Sequence, residues 1–123
     1  MNKTSIKREL NSAWYELGHQ RYKTCAVCGK GPVSIHHIVP KSHQLTAYDP
    51  DNQLPLCTPH HQTDKILSAH GNPAVFRSWM KEWLPDKYEY LIENEHRTAH
   101  SLPLSWYQEK LEYLKEQLKC QTT

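Results

Sequence analysis

Apolar side chains recur first at Ile6, Leu10, Trp14 and Leu17, in steps of four, four and three that put them on one face of a helix. The pattern predicts a helix over Thr4–Leu17. Thr4 or Ser5 is its expected cap and Gly18 its end, with the stripe packed on the cysteine-bearing unit that follows and Lys7 and Arg8 turned outward. From Val33 to Ile38 a β-branched run predicts a strand, which Pro40 keeps from extending as a central ladder member. Lys41–Asp51 reads as a polar connection, and Leu54 and Leu56 as a short return strand. Thr58-Pro59 then offers a capping hydroxyl and a first-turn proline, predicting a helix over Pro59–Ala69 that ends at Gly71.

The second half is helical by the same reasoning. Asn72-Pro73 opens a helix with Phe76, Trp79, Met80 and Trp83 on one face. Pro85 breaks it and begins the next, carried on by Tyr88, Leu91, Ile92 and Glu95. A polar, mobile linker over His96–Pro103 leads to a last helix from about Leu104 to Lys119. Its stripe of Tyr107, Leu111, Leu114 and Leu118 holds near-heptad spacing for two heptads, too short for a coiled coil. It either folds back on the body or pairs with a second copy as a homodimer. The fold class expected is α+β.

Composition narrows the class. A chain of 123 residues is one small domain, for which a metal staple is the expected compensation for a limited core. No apolar run approaches membrane-spanning length, so no membrane partner is expected, and no charged-then-apolar signal opens the chain. A cytoplasmic, reducing location is the expectation, and it suits thiolates on zinc better than disulfides.

The chemistry is concentrated between Cys25 and His61. Cys25-x-x-Cys28 and Cys57-x-x-His60 are two ligand pairs, each spaced for a tight turn to aim both side chains at one ion. Three thiolates and one imidazole complete a tetrahedral zinc site with no open position, the structural arrangement. C-x-x-C is also the spacing of a redox pair, but Gly29 and the matching second pair favour zinc. Cys120 stands apart as an uninvolved thiol. His36 and His37 would point to opposite faces of a strand, so they cannot share one task without a local bend. His60 and His61, about 100° apart on a helix, can serve two different metals.

These residues resemble the HNH endonuclease family, whose ββα-metal fold sets a strand hairpin and one helix around a divalent ion. His36-His37-Ile38-Val39-Pro40 matches its H-H-I-x-P pattern, and Asn52 to His61 matches its N-x-x-x-L-C-x-x-[CH]-H pattern. The resemblance implies His37 as general base, Asn52 as the residue holding the base-bearing loop, and His36 and His61 as ligands of a catalytic ion. His60 stands where the family usually has a fourth cysteine. It implies a single nuclease domain with an N-terminal helix over 1–20, a zinc and HNH core over 24–71 and a helical extension over 72–123. The order of elements is also similar to phage and prophage HNH proteins of the NinG/Rap recombination-nuclease type, on Cys25–Gly29, His36–Ile38, Tyr48-Asp49, Asn72–Phe76, Trp79 and Lys87–Leu91. That similarity implies branched or recombination DNA as substrate.

The roles are chemically coherent. Phosphodiester hydrolysis needs an activated water, a hold on the scissile phosphate and neutralised charge on the leaving oxygen. An imidazole suits the first, and an ion held by two side chains keeps open positions for the others. Mg2+, Mn2+, Ni2+ and Zn2+ all fit such a site. Asn52 can brace a loop backbone, or be a plain turn residue after Asp49-Pro50-Asp51.

Charge adds a direction. The net +2 divides into +5 over residues 1–48 and −3 over the remainder, a basic half that suits a phosphate backbone as well as it suits an ordinary surface. Arg21, Lys23, Lys41 and Lys65 are the candidate DNA contacts, and Lys41–Asp51 is long enough to lie against DNA. Lys65, four residues after His61, would share its helix face, though an exposed lysine is the plainer reading. His70 is either a further ligand or a helix C-terminal histidine answering the dipole. The expected function is a metal-dependent DNA endonuclease. The alternative is a zinc-stabilised DNA-binding or regulatory module without cleavage.

Overall fold

The computed structural model describes residues 1–99 and 101–122. In chain order it contains α1 (Lys3–Arg21), β1 (Ser34–His36), β2 (Leu54–Leu56), a π-helical turn (Pro59–Thr63), α2 (Pro73–Trp83), α3 (Pro85–Asn94) and α4 (Leu104–Thr122). The class is α+β, a two-stranded sheet among helices. No helix among the described residues is long and apolar enough to cross a membrane.

Helix α1 departs from expectation at both ends. Its cap is Asn2 rather than Thr4 or Ser5, because the Asn2 side-chain oxygen accepts the Ser5 N–H at 2.8 Å. Gly18 does not end it. The helix runs on to Arg21, and Gly18 is buried where the sheet crosses. A Cβ there would meet Ile35 Cγ1 at 2.8 Å and Gln53 Nε2 at 3.2 Å. The missing side chain lets Ile35 seat on the helix and lets the Gln53 amide donate to the Trp14 carbonyl at 2.7 Å.

Strands β1 and β2 are antiparallel, with Ser34 opposite Leu56, Ile35 opposite Pro55 and His36 opposite Leu54. The first strand is shorter than Val33–Ile38, because Val39 bonds to the Asn52 side chain instead of a neighbouring strand. Opposed residues share a face, so Ile35 looks toward α1, and Ser34, His36, Leu54 and Leu56 look the other way.

Each face meets its own core. One gathers Ile6, Leu10, Ala13, Trp14 and Leu17 of α1 with Ile35, Ala47, Tyr48 and the α4 residues Tyr107, Leu111 and Leu114. The stripe of α4 is therefore spent on α1 of the same chain, and α1 packs on α4 and the sheet rather than on the cysteines. Lys7 lies over the Tyr107 ring at 5.2 Å instead of facing outward, while Arg8 is exposed. The other core joins Cys25, Cys57, Ile38, Val39, Leu54 and Leu56 to Phe76, Met80 and Leu91 of α2 and α3. Trp83, expected on the α2 apolar face, is 64% exposed at the helix end.

The 41–51 connection is not a free polar loop. Thr46, Ala47 and Tyr48 are buried, Trp14 Nε1 donates to the Asp49 carbonyl at 2.8 Å, and the Tyr90 hydroxyl donates to the Asp49 carboxylate at 2.8 Å. Tyr107 donates to Gln44 Oε1 at 3.1 Å, tying the same segment to α4. Of the His96–Pro103 linker, His100 lies outside the described residues.

Gly18→Val should destabilise the protein by about 1–3 kcal/mol, as overpacking of a close-packed helix–strand crossing does. Urea unfolding of the two proteins checks this, and an unchanged midpoint would contradict the packing.

Candidate metal centres

The Cys25–Cys28 pair sits on a turn in which Gly29 takes a positive φ of 75° and donates its N–H to the Cys25 carbonyl at 2.8 Å. The Ala26 N–H bonds to the Pro55 carbonyl at 2.9 Å, fastening this turn to the hairpin just before Cys57. The donor atoms of Cys25, Cys28, Cys57 and His60 then lie within 4.8 Å of one another. Cys28 and Cys57 sulfurs are 3.7 Å apart, and His60 Nδ1 is 3.2 Å from Cys57 Sγ and 3.8 Å from Cys25 Sγ. A tetrahedral ion with bonds of about 2.3 Å to sulfur and 2.0–2.1 Å to nitrogen has edges of about 3.5–3.8 Å, so the four groups fit one.

The charge state also suits a cation. Burial acts to raise the Cys25 thiol pKa, but N–H groups of Cys57, Cys28 and Val27 more than offset it and bring it down to about 6. Cys57 is pushed up by burial and by the neighbouring sulfurs, since a second thiolate is costly without a cation between them. No disulfide joins the described cysteines.

The segment after Cys57 overturns an expectation. The helix predicted over Pro59–Ala69 is a single π turn, Pro59–Thr63, and Thr58 makes no capping bond. Asp64 is the reason. Its carboxylate accepts the N–H groups of Ile66 and Leu67 at 2.8 and 2.9 Å, offering the backbone an alternative to helix. Ser68 donates to the Asp64 carbonyl at 2.6 Å and accepts from the Gly71 N–H at 2.8 Å. The chain reverses, so Ala69 N–H bonds to the His60 carbonyl and His70 N–H to the His61 carbonyl, each at 2.9 Å. Gly71 is required here, because a Cβ would sit 2.6 Å from the Asp64 carbonyl oxygen.

That reversal delivers His70 to a second group. The donor atoms of His36, His61 and His70 lie within 4.8 Å of one another. Their ring centroids are separated by 5.0, 5.1 and 4.8 Å. Three imidazoles bonded to one ion at about 2.0–2.1 Å have ring centroids about 4.5–5.2 Å apart at angles between octahedral and tetrahedral, so these three suit a single ion. Burial, then His61, His70 and His37, holds His36 down at about 3, and burial followed by His70 lowers His61. Both are thus kept neutral, the form that ligates metal. His70 therefore answers no helix dipole, since no helix ends there. The sequence signal for its placement was the Asp64, Ser68 and Gly71 turn chemistry.

His37, the first residue after β1, turns toward α1, away from the group that holds His36. Its ring stacks on Trp14 at 3.8 Å between centroids and 10° between planes, with the Tyr15 ring edge-on at 6.0 Å. Its Nε2 is 3.0 Å from the Ala47 carbonyl. A carbonyl only accepts, so Nε2 carries the hydrogen and Nδ1 the free lone pair. Burial lowers its pKa to about 4, opposed by the Ala47 bond and assisted by the Lys41 charge. Asn52 is fully buried. Its Oδ1 accepts the Val39 N–H at 2.7 Å, and its Nδ2 donates to the Val39 and Thr46 carbonyls, both at 3.0 Å. It thereby pins both ends of the loop from His37 to Ala47.

One cleft of about 670 Å³ is lined by His36, His37, His61 and His70 together with Tyr15, Lys41, His43, Phe76, Arg77, Met80 and Glu95. Of the candidate DNA contacts, only Lys41 lines it. Arg21 is engaged with the Pro50 carbonyl at 3.2 Å and the Tyr22 hydroxyl at 3.0 Å, and Lys23 donates to the His19 carbonyl. Lys65 is exposed beyond the π turn and does not share a helix face with His61, because the helix it was placed on stops at Thr63. Arg77, absent from the sequence reading, reaches the cleft with its guanidinium in a two-pronged bond to Glu95 at 2.7 and 2.9 Å. Comparison with protein-family models, with curated proteins and with solved structures found no match to this chain.

Metal titration should therefore reveal two classes of site. With Co2+ as probe, the class that gives sulfur-to-metal charge-transfer absorption should vanish in Cys28→Ser and persist in His36→Ala. Gly71→Val should weaken the other class by at least tenfold while leaving the sulfur signal in place, and equal loss of both would contradict the separate roles assigned to the two groups.

Proposed function

We propose that this chain is a metal-dependent DNA endonuclease of the HNH type, with Zn2+ as a structural ion on Cys25, Cys28, Cys57 and His60. The observation that carries the reading is one cleft lined both by a neutral, hydrogen-bond-oriented imidazole, His37, and by three clustered imidazoles. A divalent ion on His36, His61 and His70 would supply Lewis-acid stabilisation of the phosphate and of the departing 3′ oxygen. An all-nitrogen donor set favours Mn2+, Ni2+ or Zn2+ over Mg2+, which takes oxygen ligands.

The chain's own residues do the rest. His37 Nδ1 takes a proton from the water that attacks phosphorus. The Ala47 carbonyl holds the Nε2–H and so fixes the tautomer, and the Trp14 ring holds the plane of the imidazole. Asn52 keeps the 37–47 loop at the distance from the sheet that this geometry needs. Lys41 is the cation placed to meet the phosphate, since Arg77 is already paired with Glu95. The hairpin and the position of His61 support the ββα-metal reading, with the family's helix reduced here to one π turn.

Plasmid nicking in Mg2+, Mn2+, Ni2+ and Zn2+ tests the proposal. His37→Ala should lose roughly 10²–10⁴-fold in rate while still binding DNA. If both proteins bind DNA in a salt-dependent way and neither cuts any form of it, the chain is a zinc-stabilised binding module instead. The pH profile is a separate check. A base must be deprotonated to work, and His37 is deprotonated above about 4. The nicking rate should therefore stay level from about pH 5.5 to 7.5, whereas an unperturbed histidine would impose an acid limb near 6.5.

A further inference from the structure

The second ion site, which rests on the reading above, needs His61 to present one defined nitrogen. A neutral imidazole carries a single N–H, and only the other nitrogen can ligate. Ser34, the first residue of β1, has its Oγ 2.9 Å from His61 Nδ1 and also donates to the Leu56 carbonyl at 3.3 Å. The hydroxyl has one hydrogen. With that hydrogen on the Leu56 carbonyl, Oγ is an acceptor toward His61, so Nδ1 carries the N–H and Nε2 carries the free lone pair.

We propose that Ser34 is a positioning residue that fixes His61 as an Nε2 ligand of the second ion. The sheet register makes this possible. Ser34 pairs with Leu56, the residue before Cys57, and the Cys57 carbonyl accepts the His61 N–H at 2.9 Å. The hydroxyl thus belongs to the same rigid corner as the ligand it orients. The assignment also separates two consecutive histidines chemically. His60 gives Nδ1 to the cysteine group, and His61 gives Nε2 to the histidine group.

The test is Co2+ or Ni2+ binding to zinc-loaded protein, read by competition with a chelator, together with nitrogen-15 NMR of the His61 ring without the second ion. Ser34→Ala should weaken the second site roughly 10–100-fold, the usual effect of removing an outer-shell partner. The cysteine site should be unchanged, and Ser34→Thr, which keeps the hydroxyl, should bind within a few-fold of wild type. The ring spectrum should show Nδ1–H in wild type and a tautomer mixture in Ser34→Ala. An Nε2–H wild-type ring, or Ser34→Ala binding as tightly as wild type, overturns the inference. His61→Ala separates the two levels. If it loses the ion while Ser34→Ala does not, Ser34 has no such role; if it binds the ion as well as wild type does, the second site itself is wrong.

Discussion

Everything at the centre of this molecule is constrained by one peptide bond, between His60 and His61. The first imidazole closes the sulfur group and the second belongs to the histidine group, so neither group can shift without the other. A two-stranded ladder of three residues per strand has little stability of its own. Here it is held because Cys57 follows β2 directly, the Cys25 turn bonds back to Pro55, and the 60–70 reversal bonds His70 to His61. Filling the sulfur site with an ion would lock the turn that aims His61.

The same economy appears at His36 and His37. They are consecutive, yet one joins His61 and His70 while the other stacks on Trp14 across the sheet. The cleft recovers them both because β1 ends at His36 and the chain turns at Ile38 and Val39 into the second core. Asn52 sets that turn. Its amide satisfies a buried N–H and two buried carbonyls, groups that would otherwise be costly to bury. Helices α1 and α4 contribute chiefly a wall, but that wall supplies the Trp14 ring and, through Asp49 and Gln44, the fixed position of the loop beneath His37.

The residues of the sulfur group, the strand hairpin, and helices α2, α3 and α4 were legible in the sequence, because each rests on a local regularity: ligand pairs three apart, β-branched runs, or proline and asparagine at helix starts. What spacing could not supply was which local preference would lose to a tertiary one. Gly18 reads as a stop, but Ile35 needs the space its side chain would fill, and the helix continues. Thr58-Pro59 reads as a start, but Asp64 captures the backbone donors that a longer helix would use. His70 reads as a dipole partner, and becomes a neighbour of His36 and His61 only when that reversal is made.

By itself the sequence determined the chemical inventory and its pairing along the chain, since Cys25, Cys28, Cys57 and His60 are near-neighbour signals that survive without a fold. Only the tertiary structure decided which histidines cluster together and which cations face the cleft. Those are properties of contacts such as His36 to His61 and His36 to His70, far apart along the chain, fixed by sheet register, by a buried amide and by one closed turn. No pattern of spacing carries that information.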